Sequence, residues 1–210
     1  MILRCRLIMI CMVMFFSIQT TGYAEVLSPR AALQGPIDEI MKVLNDPDYK
    51  TPDQRADQRN KIWEIANPMF DFTEISRRSV GKPWLKFSEQ EKIRFTEVFS
   101  KFFGATYIDK LQGEYNNEKI NIGKELIKGD RALVQTKLLR ESTAVALDFR
   151  LKQSDGQWKI YDVLVENGVS LVKNYRVQFS SALQKESPAQ LIEKLEKRLA
   201  EQQPLSGKSE

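Results

Sequence analysis

The chain has 210 residues, 32 Lys and Arg against 28 Asp and Glu, two cysteines and no histidine. Both cysteines, Cys5 and Cys11, lie close to the N-terminus, so the rest of the chain has no disulfide, thiolate, imidazole base or His/Cys metal site to use. A formal charge of +4 is too small to carry a nucleic-acid role, and no such partner is expected.

The first element is an address. Arg4 and Arg6 precede the apolar run Leu7–Ile18, and Gly22 and Ala24 put small residues at the −3 and −1 positions of a cut after Ala24. That is the layout of a cleaved secretory signal peptide over residues 1–24. Cleavage removes Arg4, Arg6 and both cysteines and lowers the formal charge from +4 to +2. The exported product must then be stabilised by packing alone, for which its length is ample.

Glu25–Gly35 reads as a loose leader, and Pro36 is expected to open a helix with Ile37, Ile40, Met41 and Leu44 on one face. Thr51-Pro52-Asp53-Gln54 is a capping box that starts a second helix, running to about Ala66. Pro68 interrupts it. Met69, Phe70, Phe72, Ile75 and Val80 make a further short helical face, stopped at Gly81-Lys82-Pro83. Ser88-Glu89-Gln90-Glu91 caps the longest helix, about Ser88 to Gln112, whose stripe is rich in phenylalanine: Phe95, Phe99, Phe102 and Phe103, followed by Tyr107. From the stripe alone, a packed core is the default explanation.

From Glu118 the period changes from 3.6 to 2. Strands are expected over Lys119–Ile127, Ala132–Leu139, Thr143–Lys152 and Trp158–Val165, joined by short turns such as Lys128-Gly129-Asp130-Arg131 and Ser154-Asp155-Gly156. In the last strand both faces are largely apolar, with Trp158, Ile160, Asp162 and Leu164 on one side and Tyr161, Val163 and Val165 on the other. Something is therefore expected to pack on each side of it. Asn167-Gly168 ends that strand, and a helix over Val169–Leu183 follows. Ser187-Pro188-Ala189-Gln190 caps a last helix bearing Leu191, Ile192, Leu195 and Leu199, and residues 202–210 are expected to be a disordered tail. The pattern is α+β: a four-stranded antiparallel twisted sheet with helices before and after it.

The chemistry available is narrow. No phosphate loop, metal motif or activated serine is present, which leaves carboxylates. Asp162 lies in an apolar strand, and Asp148 is expected to be solvated beside Arg150 and Lys152. The structural reading of Asp162 is a bond to an arginine or to backbone amides; the chemical one is a carboxyl with a raised pKa. Arg77, Arg78, Lys82 and Lys86 flank Trp84-Leu85; such a cluster is either a solvated face or a rim that meets a phosphate.

Three segments in this order and spacing, FDFTEISRRSVGKPW, SEQEKIRFTEVFSKFFGATYIDKL and DGQWKIYDVLVENGVSLVKNYRVQFSSAL, resemble the MlaC (toluene-tolerance) family over about residues 36–200. The resemblance implies a single lipid-binding domain over residues 25–201 in which sheet and helices enclose a deep apolar cavity. It also implies a periplasmic phospholipid carrier of the Mla pathway, with no cofactor and no catalytic residue. Its partners would be phospholipid, the inner-membrane Mla ABC transporter complex and the outer-membrane Mla lipoprotein/porin complex, and it would act as a monomer in maintaining outer-membrane lipid asymmetry. Carried over by position, the candidate lipid-binding residues are Phe70, Phe72, Trp84, Phe99, Phe103, Tyr107, Val145, Leu147, Phe149, Val163, Val165, Val169, Leu171, Tyr175 and Phe179. Arg77, Arg78, Lys82 and Lys86 are the candidate headgroup or docking rim. Phe149 departs from the pattern, standing where a tyrosine is expected. Two other readings remain: a small exported enzyme using Asp162 with a tyrosine such as Tyr161, and a structural domain whose phenylalanines only fill the core.

Overall fold

A computed structural model describes residues 27–49, 51–140 and 143–202. The expected signal peptide, and all but the first residue of the expected tail, lie outside them. Four helices come first: α1 (Pro29–Asn45), α2 (Pro52–Ala66), α3 (Phe72–Val80) and α4 (Glu89–Glu114). The strands β1 (Lys119–Lys128), β2 (Arg131–Leu139), β3 (Ala144–Ser154), β4 (Gln157–Val165) and β5 (Val169–Ser170) follow, and then α5 (Leu171–Ala182) and α6 (Pro188–Glu201). No helix among the described residues is long and apolar enough to cross a membrane.

The helix starts expected from sequence fall where the side chains cap them. Thr51, Ser88 and Ser187 each close a reciprocal capping box with Gln54, Glu91 and Gln190, satisfying amides that a helix start leaves without partners. One start differs. α1 begins at Pro29, capped by Ser28, and runs through Pro36 instead of opening there. Leu33, one turn before Ile37, is buried in the same core, and its burial outweighs the backbone bond that Pro36 cannot make.

The sheet is antiparallel in the order β1-β2-β3-β4-β5. It has five strands where four are expected, because the chain reverses at Glu166–Gly168 and lays Val169 and Ser170 back against Val165 and Leu164. Farther along the same edge, Phe70 bridges Ile160, with the Asp71 amide 2.8 Å from the Ile160 carbonyl. Pro68 stops α2 through a 3-10 turn at Asn67–Met69, which frees Phe70 and Asp71 for this pairing.

Irregularities bend the sheet. β1 loses register between Ile122 and Glu125 against β2, and β4 carries one extra residue, Tyr161, opposite the Arg150–Leu151 step of β3. Such bulges curve a sheet and redirect side chains. Between them, Asp148 accepts a hydrogen bond from the Thr136 amide at 3.0 Å. It is therefore held inside the β2–β3 ladder and is not the freely solvated carboxylate its charged neighbours suggest.

The bulge also corrects the expected faces of β4. Ile160 stands with Val163 and Val165 on the concave side, since the extra residue shifts the alternation by one. Two-sided covering is confined to this strand: β3 buries Phe149 and Leu151 but leaves Ala144, Ala146 and Arg150 to solvent.

The core is densest around the first half of α4. Phe95 is fully buried and meets Trp84, Phe87, Phe99 and Phe179 at ring-centroid distances of 5.9, 5.7, 5.4 and 5.5 Å. Replacing Phe95 by alanine should lower unfolding stability by about 3–5 kcal/mol, as for large buried aromatics generally. The same change at Ile93, which is 61% exposed, should stay within about 0.5 kcal/mol. Urea unfolding of both variants measures the contrast; equal losses would contradict this location of the core.

Candidate functional site

The two halves of α4 have different surroundings. Its first half is enclosed by α3, α5 and α6, where Phe99 packs edge-on against Tyr175 and Phe179 at 4.9 and 5.1 Å. Its second half stands off the sheet. Between them lies a cavity of about 500 Å³, within the size range of ligand pockets in general. Phe103, Tyr107, Ile108 and Leu111 of α4 form one wall, and Val145, Leu147, Phe149, Ile160, Val163 and Val165 of the sheet form the opposite one.

The remaining walls come from α1 and α2. Ile37, Ile40 and Met41 of α1 line it with Ile62 and Trp63 of α2. Gly104 matters here because a Cβ on it would lie 2.2 Å from Cζ3 of Trp63; the bare backbone lets the indole lie flat against α4. The stacked rings of Phe70 and Phe72, 5.4 Å apart, meet Phe103 at about the same distance, 6.1 and 6.0 Å, and fill one end.

The charged members of the wall all gather at the other end. Lys110 and Glu114 belong to the last turns of α4, Glu118 leads into β1, Arg140 follows β2, and Glu166 follows β4. These are neighbouring chain ends along one border of the sheet, so this end is the mouth. Arg140 bridges two carboxylates there, with Nη2 3.3 Å from Glu114 and Nε 3.2 Å from Glu118. Glu118 is almost fully buried and also accepts from the Asn116 amide.

The structure brings ten of the fifteen candidate lining residues to the cavity: Phe70, Phe72, Phe103, Tyr107, Val145, Leu147, Phe149, Val163, Val165 and Leu171. Five stand elsewhere. Trp84, Phe99, Tyr175 and Phe179 belong to the aromatic core of the first half of α4, where converging helices leave no open space. Val169 is 45% exposed on the short strand β5. Tyr175 still touches the site indirectly. Its ring and that of Tyr107 both pack on Phe103, and burial pushes both hydroxyls above the usual tyrosine range, so the two stay neutral.

The candidate rim is also displaced. Arg77, Arg78, Lys82 and Lys86 are absent from the cavity wall and lie around the start of α4, while the mouth lies at its end. Arg77 and Arg78 share Glu74, each Nε 2.7 Å from one of its oxygens, and the Arg78 guanidinium lies 4.4 Å from the ring centre of Tyr161. Lys82 and Lys86 are exposed on the 3-10 turn that carries Trp84. The charged residues that do reach the mouth are single residues at element ends, with no clustering in sequence to mark them.

Asp162 takes the structural role. It accepts from Arg150 at 3.1 Å, from the Ser170 hydroxyl at 2.9 and 2.8 Å, and from the Val172 amide at 3.3 Å. It thus sits at the N-terminus of α5, where helix amides favour a negative charge. Neither Asp162 nor Tyr161 lines the cavity.

Sheet, helices and cavity together have the architecture of a domain that holds an apolar ligand. The sequence profile of the MlaC protein family matches residues 34–197, and the chain belongs to that family. A solved structure with the same fold, at a TM-score of 0.70 and 21% identity over 83% of this chain and 98% of that one, is the phospholipid-binding protein from Ralstonia solanacearum in complex with a phospholipid. None of the curated proteins compared with the chain matches it.

The Glu74 pair has a consequence for acid stability. Burial favours the protonated form of Glu74, but hydrogen bonds and charge from Arg77 and Arg78 outweigh it and hold the carboxyl below its usual value. A carboxyl depressed in the fold stabilises it above the unfolded pKa of about 4.3, and that contribution is lost as pH falls through the folded value. Glu74→Gln should therefore be less stable than the parent at pH 7, with the gap narrowing below about pH 4. Thermal unfolding across that range measures it; a gap independent of pH would contradict the assignment.

Proposed function

We propose that the chain is a periplasmic phospholipid carrier and not an enzyme. The observation that carries this reading is the cavity itself: about 500 Å³, walled by apolar side chains and charged only at one end. An amphiphile fits such polarity, with acyl chains inside and a headgroup at the mouth. Membership of the MlaC family and the phospholipid held by the Ralstonia solanacearum protein of the same fold support it. The cleavable signal peptide expected at residues 1–24 supports export to the periplasm.

On this reading Phe103, Tyr107, Val145, Leu147, Phe149, Val163, Val165 and Leu171 contact the acyl chains, and Phe70 and Phe72 set the depth they reach. The neutral Tyr107–Tyr175 pair gives the wall a polar point that carries no charge to desolvate. Burying each CH₂ is worth roughly 0.8 kcal/mol, so a lipid with two long chains gains on the order of 20 kcal/mol on leaving water. That is near the ceiling of non-covalent affinity. Uncatalysed release into water is therefore negligible, and exchange requires docking to an acceptor. The acceptors consistent with the family are the inner-membrane Mla ABC transporter complex and the outer-membrane Mla lipoprotein/porin complex, with the chain acting as a monomeric shuttle between them.

The test is native mass spectrometry of the mature protein, purified from a bacterial periplasm without detergent, followed by lipid extraction. A stoichiometric adduct of phospholipid mass is expected. Leu147→Trp, which sets an indole into the space between sheet and α4, should reduce the lipid-bound fraction at least several-fold. Clean apo protein that also fails to take lipid from vesicles would overturn the carrier reading.

A further inference from the structure

Behind the apolar cavity lies a second, polar cleft, whose wall includes Asn67, Asp71, Thr73, Ser154, Asp155 and Lys159. Its strand residues belong to the β3–β4 hairpin, where Ser154 pairs with Gln157; Leu147 and Val165 pair at the opposite end of the same two strands. The cleft therefore stands at the far border of the sheet from the mouth. Phe70 and Phe72 line both spaces, so this stacked pair is the partition between an apolar cavity and a polar cleft.

The partition is fixed in place. The Asp71 amide donates to the Ile160 carbonyl at 2.8 Å, the Phe70 amide to the Asn67 carbonyl at 3.2 Å and the Lys159 ammonium to the Pro68 carbonyl at 2.6 Å. Asp71 also caps α3, accepting from the Glu74 amide at 2.9 Å. The backbone that carries the two rings is thus tied to β4 on one side and to α3 on the other, and Phe103 of α4 packs against both rings.

We propose that Phe70 sets an upper limit on acyl-chain length, so that the cargo is phospholipid whose chains end at or before this partition. The inference rests on the carrier reading and specifies its substrate class. A chain that ends short of the rings buries its CH₂ groups in the cavity as it does in a bilayer, and its length has no effect on exchange. A longer chain has two ways out, past the rings into the polar cleft or back through the mouth. In both, the surplus CH₂ groups meet water, and each forfeits about fourfold in affinity relative to the bilayer. Uptake against chain length is therefore flat up to a limit and steep beyond it. Phe72 is buried in the core, whereas Phe70 is only partly buried, so Phe70 is the ring that can be changed with less disturbance to the fold.

The experiment incubates the mature protein with vesicles holding equal amounts of monounsaturated phosphatidylcholines that differ only in chain length. The protein is re-isolated and each bound lipid is quantified by mass spectrometry relative to its share of the vesicle. For the parent, the ratio is expected to hold steady and then fall at least about tenfold for each further pair of carbons. Phe70→Ala, which vacates space beside Phe72 and Phe103, should restore the first excluded length to within about threefold of the plateau. Phe70→Trp should move the fall to shorter chains. Phe179→Leu, in the aromatic core and outside the cavity wall, should leave it where it is. A parent profile with no fall, a fall unmoved by both Phe70 variants, or one moved as far by Phe179→Leu overturns the proposal, while bound lipid leaves the carrier reading standing. Absence of bound lipid from the parent protein overturns both.

Discussion

An apolar cavity is costly to keep open, because its lining side chains lose contacts they would regain by collapsing on one another. The rest of this structure depends on how that collapse is prevented. α4 is one continuous helix of 26 residues, and its first half is fixed by an aromatic cluster that runs from Trp84 and Phe87 through Phe95 and Phe99 to Tyr175 and Phe179. A rigid rod clamped at one end cannot bend down onto the sheet at the other. The core stabilises the fold and, through α4, also holds the roof of the cavity.

The sheet meets the same constraint from below. A flat sheet would lie close against the helices, whereas bulges at Ile122–Glu125 and at Tyr161 curve this one away from them. The Tyr161 bulge couples the two faces of β4. It directs Ile160, Val163 and Val165 into the cavity and leaves Asp162 on the other side, anchoring Arg150, Ser170 and the first turn of α5. Removing one partner from such a buried charged network would leave the others unpaired in a poorly solvated place. Asp162 is therefore tied to the position of the strand that carries the sheet wall, although it never meets the cavity.

These two devices mark how far the sequence could be read. Helix starts were legible because capping boxes at Thr51, Ser88 and Ser187 are local chemistry, and four strands were legible because alternation is local geometry. The start of α1 at Pro29, ahead of Pro36, is not legible locally, because its burial depends on Leu33 meeting a distant core. β5 is not legible either, because two residues carry no period. Of the candidate lining, the residues on the second half of α4 and on the sheet reach the cavity. Phe99 and Phe179 pack in the core instead, since a phenylalanine stripe has the same period whether it fills a core or faces a void. The mouth was the least legible part. Lys110, Glu118, Arg140 and Glu166 are far apart in the chain, and only the common border of the sheet assembles them.

The division of labour that results bears on how a carrier of this kind could work without chemistry. On the proposed reading, the lipid moves between two environments, bilayer and cavity, that bury its chains about equally well. The free energies then nearly cancel, and neither direction is favoured by the carrier itself. What the protein must provide is a container that neither collapses when empty nor holds its cargo beyond the reach of an acceptor. A clamped α4 over a curved sheet supplies the first. An open mouth where Arg140 and Lys110 are already paired with Glu114 and Glu118 supplies the second, because further headgroup contacts there add little to the affinity that acceptors must overcome. Direction must then come from whatever docks at that mouth.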